Sequence, residues 1–225
     1  MPRHPVITDA LLDAALGPEA KPDPRASSPR FFHSPLAERL TRAHAASPYA
    51  LYLPLVALLL ALWTDWSAPA PALASVAAGA LAWTFVEYWL HRLFFHLRPT
   101  TDPRKVTSFV VHRHHHVAPG DPTRLVATWW QSGGLALALL GVYGLVAPAT
   151  RAPLLAGTLL GYLAYELVHY SAHHRRPRTA LGRALRRHHL RHHFADPGRN
   201  FGISSPLWDL VFRTYSSRQG PEDRS

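Results

Sequence analysis

LASVAAGALAWTFVEYWLHRLFFH, residues 73–96, begins as an uncharged run of small and aliphatic residues and closes on Glu87, His91 and His96. A run of this length and apolarity fits a helix crossing a hydrocarbon layer of ~30 Å. The same helix would present imidazoles at one of its ends. Before it stands YALYLPLVALLLALW, residues 49–63, inside a nearly charge-free run from about Ser47 to Trp66 with Tyr and Trp as interfacial anchors. SAPAPA, 67–72, supplies the turn between the two. A third run extends from about Ala127 to Val146 and a fourth from about Pro153 to Val168; their glycines permit close helix packing in lipid. The sequence therefore predicts an all-α integral membrane protein: a four-helix transmembrane bundle with a helical cap that carries the histidines. Buried core helices of a soluble protein would be the alternative, but run length and charge segregation oppose it.

The distribution of Lys and Arg orients these four spans. Segments 1–47, 97–126 and 170–225 hold 22 of the 24 Lys/Arg, and the two opposite turns hold only Arg151. Basic loops remain in the cytoplasm, so both termini, the cap and the candidate site are expected on that side of a multi-pass protein. Residues 1–46 are Pro-rich and polar, which predicts a loosely ordered cytoplasmic leader with a short interfacial helix near Leu36 to Ala45. No apolar segment near Met1 reads as a secretory signal. The membrane-embedded domain is then 47–225.

The net charge of +10 raises nucleic acid as a partner, but the arginines border apolar runs and no nucleic-acid signature accompanies them, so a membrane surface is the expected partner. The absence of cysteine removes disulfides, thiolate metal sites and Cys nucleophiles together. Imidazole is left as the soft ligand.

Of the 16 histidines, 13 lie between 91 and 193, in four groups. EYWLHRLFFH pairs His91 with His96, and HRHHH supplies His112, His115 and His116 as H-x-x-H-H. ELVHYSAHH supplies His169 and His173, and HHLRHHF supplies His189, His192 and His193, again as H-x-x-H-H. Residues three and four apart share a helix face, so H-x-x-x-H and H-x-x-H-H each aim imidazoles at one point and can grip a single ion. His91 and His96, five apart, either serve different ions or require the helix to bend. One ion takes about four to six ligands, so these ten donors point to two metals. His4, His33 and His44 read as solvated; His114, His174 and His188 fall outside the repeated spacings and read as supporting or surface groups. Glu87, Glu166 and Asp209 are candidates to orient ligand imidazoles, with pairing to local arginines the alternative for the two glutamates.

Imidazole suits zinc, copper, iron and nickel alike. Zinc would imply hydrolysis, normally with three protein ligands and a general base. Two irons activating O₂ fit a histidine-rich site beside lipid better, and zinc can replace iron in purified protein.

Taken together, the four motifs between about 85 and 215 resemble the fatty acid hydroxylase superfamily, which includes fatty acid 2-hydroxylases, sterol desaturases, C-4 sterol methyl oxidases and carotenoid hydroxylases. EYWLHRLFFH, HHHVAPGDPTRLV, the H-Y-x-x-H that starts at His169, and HHLRHHFADPGRNFGISSPLWDLVFRTY are most similar to the fatty acid 2-hydroxylase branch. The resemblance implies metal ligation by His91, His96, His112, His115, His116, His169, His173, His189, His192 and His193, the ten that spacing selects. It implies reductive O₂ activation at a di-iron site and hydroxylation of a lipid chain at an unactivated methylene, with 2-hydroxylation of a fatty acyl chain, free or in a sphingolipid or ceramide, as the product. Arg113 stands where the branch has Gly and Glu166 where it often has Asp. No fused cytochrome b5 domain is present, so electrons are expected from a separate donor such as cytochrome b5 or ferredoxin. Trp129, Trp130, Phe109, Phe201 and Trp208 are candidates to line the lipid slot or to anchor at the interface. A sterol or other lipid desaturase would share the ligand set, and a metal-handling membrane protein is the non-enzyme alternative.

Overall fold

Leu- and Ala-rich runs with few β-branched residues favour helix, and in the computed structural model, which describes residues 3–18, 20–64, 67 and 69–218, helices are the only extended elements. Among the described residues no strand forms; a single bridge pairs Ile7 with Phe32. The 73–96 run becomes α4 (Ala70–Trp89), with Pro71 in its first turn, and passes without a break into a π-helical stretch, Leu90–Phe95. Before it lie α1 (Asp9–Leu16), α2 (Pro35–Leu40) and α3 (Ser47–Ala61). After it come α5 (Asp102–Ser108), a second π-helical stretch (Phe109–Arg113) and α6 (His114–Val117). The chain ends through α7 (Trp129–Val146), α8 (Arg151–His174), α9 (Ala180–Phe194) and α10 (Leu207–Val211).

Two helical stretches are long and apolar enough to cross a membrane, Ala70–Phe95 and Trp129–Val146. The first expected span is shorter than its sequence run: α3 has 15 residues and stops at Ala61, and the expected anchor Trp66, with Ala68 of the following turn, lies outside the described residues. The fourth expected span is longer, 24 residues, but less apolar. Its position explains this, because α8 packs against α3, α4 and α7, and buries the polar side chains of Thr158, Tyr162 and Glu166. The core around it comprises Tyr52, Val56, Leu59, Trp83, Tyr143, Leu155, Leu159 and Tyr162. At the α4–α8 crossing, a Cβ on Gly79 would collide with the Leu154 carbonyl and one on Gly157 with the backbone of Val76. By contrast, Gly133, Gly134, Gly141 and Gly144 of α7 face open space, so the expected glycine-mediated packing holds for α8 alone.

The segment before residue 47, expected to be loosely ordered, is packed in place. Its Met1, Pro2 and Glu19 lie outside the described residues. The Thr8 hydroxyl caps α1 by accepting from Leu11 N–H, and Leu11 and Ala15 are buried with Phe31 and Phe109. Arg124 lies 3.7 Å over the Phe31 ring and pairs with Glu38 at 2.6 Å. These buried apolar and charged contacts, which link residues far apart in sequence, offset the chain entropy that Pro-rich composition alone would leave unopposed. The expected interfacial helix is shorter than 36–45, ending at Leu40.

Candidate metal centre

α4 and α8 meet the histidine sites with their C-terminal ends, while α5–α6 and α9 carry the H-x-x-H-H motifs in from the side. The ten imidazoles gather into two groups: His91, His96, His112, His116 and His192 in one, and His115, His169, His173, His189 and His193 in the other. Within each group one nitrogen of every ring lies within 4.8 Å of the others. In the first group Nε2 atoms approach at 2.9–3.2 Å, as in His116–His112 (2.9 Å), His96–His112 (3.1 Å) and His192–His116 (3.2 Å). In the second, His173 meets His189 at 2.7 Å and His169 meets His115 at 2.9 Å, with the His193 ring 4.6 Å from both His115 and His189.

This division corrects the expectation that each H-x-x-H-H motif grips one ion. His112 and His116, four apart on one face, serve the first group, whereas His115, next to His116, turns to the second. α9 does the same, with His192 on one side and His189 and His193 on the other. Each motif therefore spans the seam, along which His116 and His193 stack at 4.2 Å. The H-x-x-x-H pair, His169 and His173, stays together in the second group. His91 and His96 also share a site, because the helix changes type: His96 N–H donates to the His91 carbonyl at 3.2 Å, an i→i+5 bond. A π-turn places residues five apart on one side, and such turns frequently occur at functional sites. His112 lies in the second π-turn.

The donor set fits metal. Two Nε2 atoms about 3 Å apart can share at most one proton, so five converging imidazoles leave lone pairs facing one another unless a cation lies between them. Burial pushes His96 down to about 3, and holds His189, His192 and His193 well below the ordinary imidazole range, so these rings are neutral at pH 7. Both nitrogens of His193 are buried without a hydrogen-bond partner. The Nδ1–H groups of His91 and His192 donate to the carbonyls of Phe201 (2.6 Å) and Arg199 (2.7 Å), which directs each Nε2 lone pair inward.

The carboxylates do not touch the ten clustered imidazoles. Glu87 accepts from Ile203 N–H (3.0 Å), Ser204 N–H (2.8 Å) and the Ser204 hydroxyl (2.8 Å). Asp209 accepts from Phe201 N–H, Gly202 N–H and the Thr214 hydroxyl and pairs with His188 at 3.0 Å. Glu166 accepts from Ala127 N–H. None of these contacts is with an arginine, so neither expectation for the glutamates describes them. His114 and His188, outside the repeated spacings, are buried and paired to Asp121 and Asp209, and His174 stacks on Tyr170. The supporting groups that spacing does not reveal are backbone carbonyls of the 199–204 loop, which have no side-chain signature. The one local sign is Asn200 in N-F-G: buried, at φ 57°, in the left-handed region that Asn tolerates.

A cavity of about 560 Å³ opens beside both groups. His91, His112, His115 and His169 form one wall, and Trp83, Leu135, Ala136, Leu139, Leu159 and Tyr162 continue it between α4, α7 and α8. This size and apolar lining match sites for small apolar ligands. Of the five aromatics expected at the slot, Trp130 lines it. Phe109 is buried under Phe31, Phe201 packs on the rings of His91, His96 and His192, Trp208 packs on Phe85, and Trp129 is exposed.

Fold and site together define a helical protein with two histidine clusters, each able to hold a metal ion, beside an apolar cavity. The Fatty acid hydroxylase family profile matches residues 76–214, and the chain belongs to that family. It is 36% identical over 188 residues to dihydroceramide fatty acyl 2-hydroxylase FAH2 of Arabidopsis thaliana, covering 83% of this chain and 79% of that one. It is 33% identical over 209 residues to fatty acid 2-hydroxylase of Mus musculus, covering 82% of this chain and 56% of that longer one. The solved structure of full-length scs7p, with only the hydroxylase domain visible, superposes with a TM-score of 0.80 at 28% identity, covering 97% of this chain and 83% of that one.

Proposed function

We propose that the chain is a membrane-bound, O₂-dependent di-iron hydroxylase that adds a hydroxyl group at C-2 of a fatty acyl chain, free or within a ceramide or other sphingolipid. The observation that carries this is the apolar cavity of about 560 Å³ whose wall includes histidines of both clusters. The ligands are the ten histidines, and iron held there supplies activation of O₂ and removal of hydrogen from an unactivated methylene. The chain's own part is positional. Trp83, Leu135, Leu139 and Leu159 hold an acyl chain away from water, while His91, His112, His115 and His169 mark the place where its reacting carbon must lie. Electrons come from a separate carrier such as cytochrome b5 or ferredoxin.

In this proposal α3, α4, α7 and α8 span the bilayer, residues 47–225 form the membrane-embedded unit, and the leader, the cap and both termini face the cytoplasm. The common direction of α4 and α8, whose C-terminal ends both reach the clusters, supports that arrangement. A transporter would place its ionisable ligands near mid-membrane; here they gather at helix ends.

The test is mass spectrometry of fatty acids released from a host that expresses the chain with a reductant system in trans, under ¹⁸O₂. The expected product is a 2-hydroxy acid carrying one labelled oxygen. Label from water instead of O₂ eliminates the oxygenase. A new double bond or an oxidised sterol without hydroxy acid moves the chain to another activity of the superfamily, and metal uptake or export that the host gains with the chain, without any lipid product, supports the metal-handling alternative.

A further inference from the structure

The two clusters have equal numbers of imidazoles and unequal support behind them. In the first, His91 and His192 each direct Nδ1–H at a backbone carbonyl, Phe201 O and Arg199 O, and both carbonyls belong to one loop, 199–204. That loop is held from three directions. Asp209, fully buried, accepts the N–H groups of Phe201 and Gly202, both at 2.8 Å. Glu87, reaching from α4, accepts those of Ile203 and Ser204 and the Ser204 hydroxyl. The Asn200 side chain bonds Ser216 through both of its polar atoms, donating to the carbonyl at 3.0 Å and accepting from N–H at 2.7 Å. A Cβ at Gly202 would meet the Ser205 carbonyl and lie 3.0 Å from Asp209 Oδ2, so the loop backbone has no room to drift. In the second cluster Nδ1 of His169, His189 and His193 is buried without a hydrogen-bond partner. The nearest carboxylate in sequence, Glu166, receives the Ala127 N–H instead.

A carbonyl accepting from Nδ1 selects the tautomer whose Nε2 lone pair faces the metal, makes that nitrogen a stronger donor and locks the ring. Rings lacking such a partner must select tautomer and orientation as the ion binds. We propose that the clusters retain metal unequally, the His91/His96/His112/His116/His192 site holding its ion about 10–100-fold more tightly than the other, with Glu87 and Asp209 as the positioning residues that set the difference. The inference rests on the two-metal proposal above.

Zinc-saturated full-length protein in detergent is challenged with excess chelator, and metal remaining per chain is followed by elemental analysis. Two phases are expected, one ion leaving quickly and the other about 10–100-fold more slowly. His173→Ala abolishes the fast phase and keeps the slow one; His96→Ala does the reverse. Asp209→Asn and Glu87→Gln accelerate the slow phase about 10-fold or more and leave the fast phase unchanged. Ser204→Ala, which removes one of the three contacts of Glu87 and leaves the core intact, accelerates the slow phase by a smaller factor and carries the test if the carboxylate variants unfold. Two ions leaving at one rate, both phases shifting together in Asp209→Asn, or a slow phase surviving in His96→Ala overturns the asymmetry and leaves the two-metal proposal standing. Saturation at one ion or fewer in folded protein overturns both.

Discussion

The ten clustered imidazoles differ from His114, His174 and His188, which stand beside them in sequence, in where their nitrogens point. His116 and His189 direct nitrogen into the clusters, so His116→Ala and His189→Ala are expected to abolish hydroxy acid formation in the labelling assay. His114 adjoins His115 and His116 of the clusters in sequence but pairs with Asp121 at 3.0 Å, away from both clusters. His114→Ala should keep measurable activity while lowering thermal stability, since it strips a buried carboxylate of a partner, a loss on the order of 1–3 kcal/mol. His174→Ala, removing a ring stacked on Tyr170, should affect neither strongly. Complete loss of activity in both variants would show that the clusters alone do not separate ligands from neighbours.

The same buried carboxylates make stability depend on acid. Burial by itself would raise the Asp209 carboxyl, but hydrogen bonds from His188, Thr214 and Gly202 N–H outweigh it and hold it below the ordinary value. Asp121 is likewise lowered, with bonds from His114 and Thr123 overcoming its burial. A carboxyl lowered by folding stabilises the native state above its unfolded pKa of about 3.9, and that contribution is lost as pH falls below it. Thermal unfolding between pH 6 and pH 3 should show stability falling below about pH 4. Asp209→Asn should flatten that limb, whereas an unchanged slope would place the acid sensitivity elsewhere.

Among the elements, α4 and α8 matter most because they cross in close contact and their ends carry four of the ten imidazoles. Gly157→Val places a branched side chain against the backbone of Val76, forcing the helices apart. Overpacking of this kind costs about 1–3 kcal/mol, and displacement of α8 carries His169 and His173 with it. Reduced melting temperature together with reduced metal content is expected. Gly141→Ala in α7, which has nothing within 4 Å, should instead be neutral or stabilising by up to about 1 kcal/mol, since Ala is the better helix former. If the two substitutions behave alike, the close crossing is not what sets α8.

For the whole molecule, the asymmetry of Lys/Arg and the placement of the clusters at helix ends make one topological demand. Reporters fused after Ala149, in the turn between α7 and α8, and at the C-terminus should fall on opposite sides of the membrane. Both on the same side would refute four spans. Two stretches meet the length and apolarity of a span on their own, and α8 would gain its place through packing, so the experiment weighs the central helix most directly.

Much of this was legible in the chain before it folds. Helical class follows from Leu/Ala runs, and the ten imidazoles stand out because a metal site needs several neutral donors and this chain has no cysteine to provide them. Sequence spacing also anticipated that His114, His174 and His188 stand apart. Which imidazole joins which cluster depended on three-dimensional relations. The π-turns reset the spacing of His91 and His96, and adjacent residues on α6 and α9 point to opposite sides of a seam that exists only when four helical segments meet. Glu87 and Asp209 stood out as candidate orienting groups, but that they bond the backbone of a loop and not the imidazoles was hidden for the same reason: the loop lies more than a hundred residues from Glu87, and backbone groups leave no mark in sequence. Composition and local periodicity determine what a segment is and which ligands it offers. The pairing of those ligands is decided by long-range packing and buried hydrogen bonds, whose partners become neighbours only in the tertiary structure.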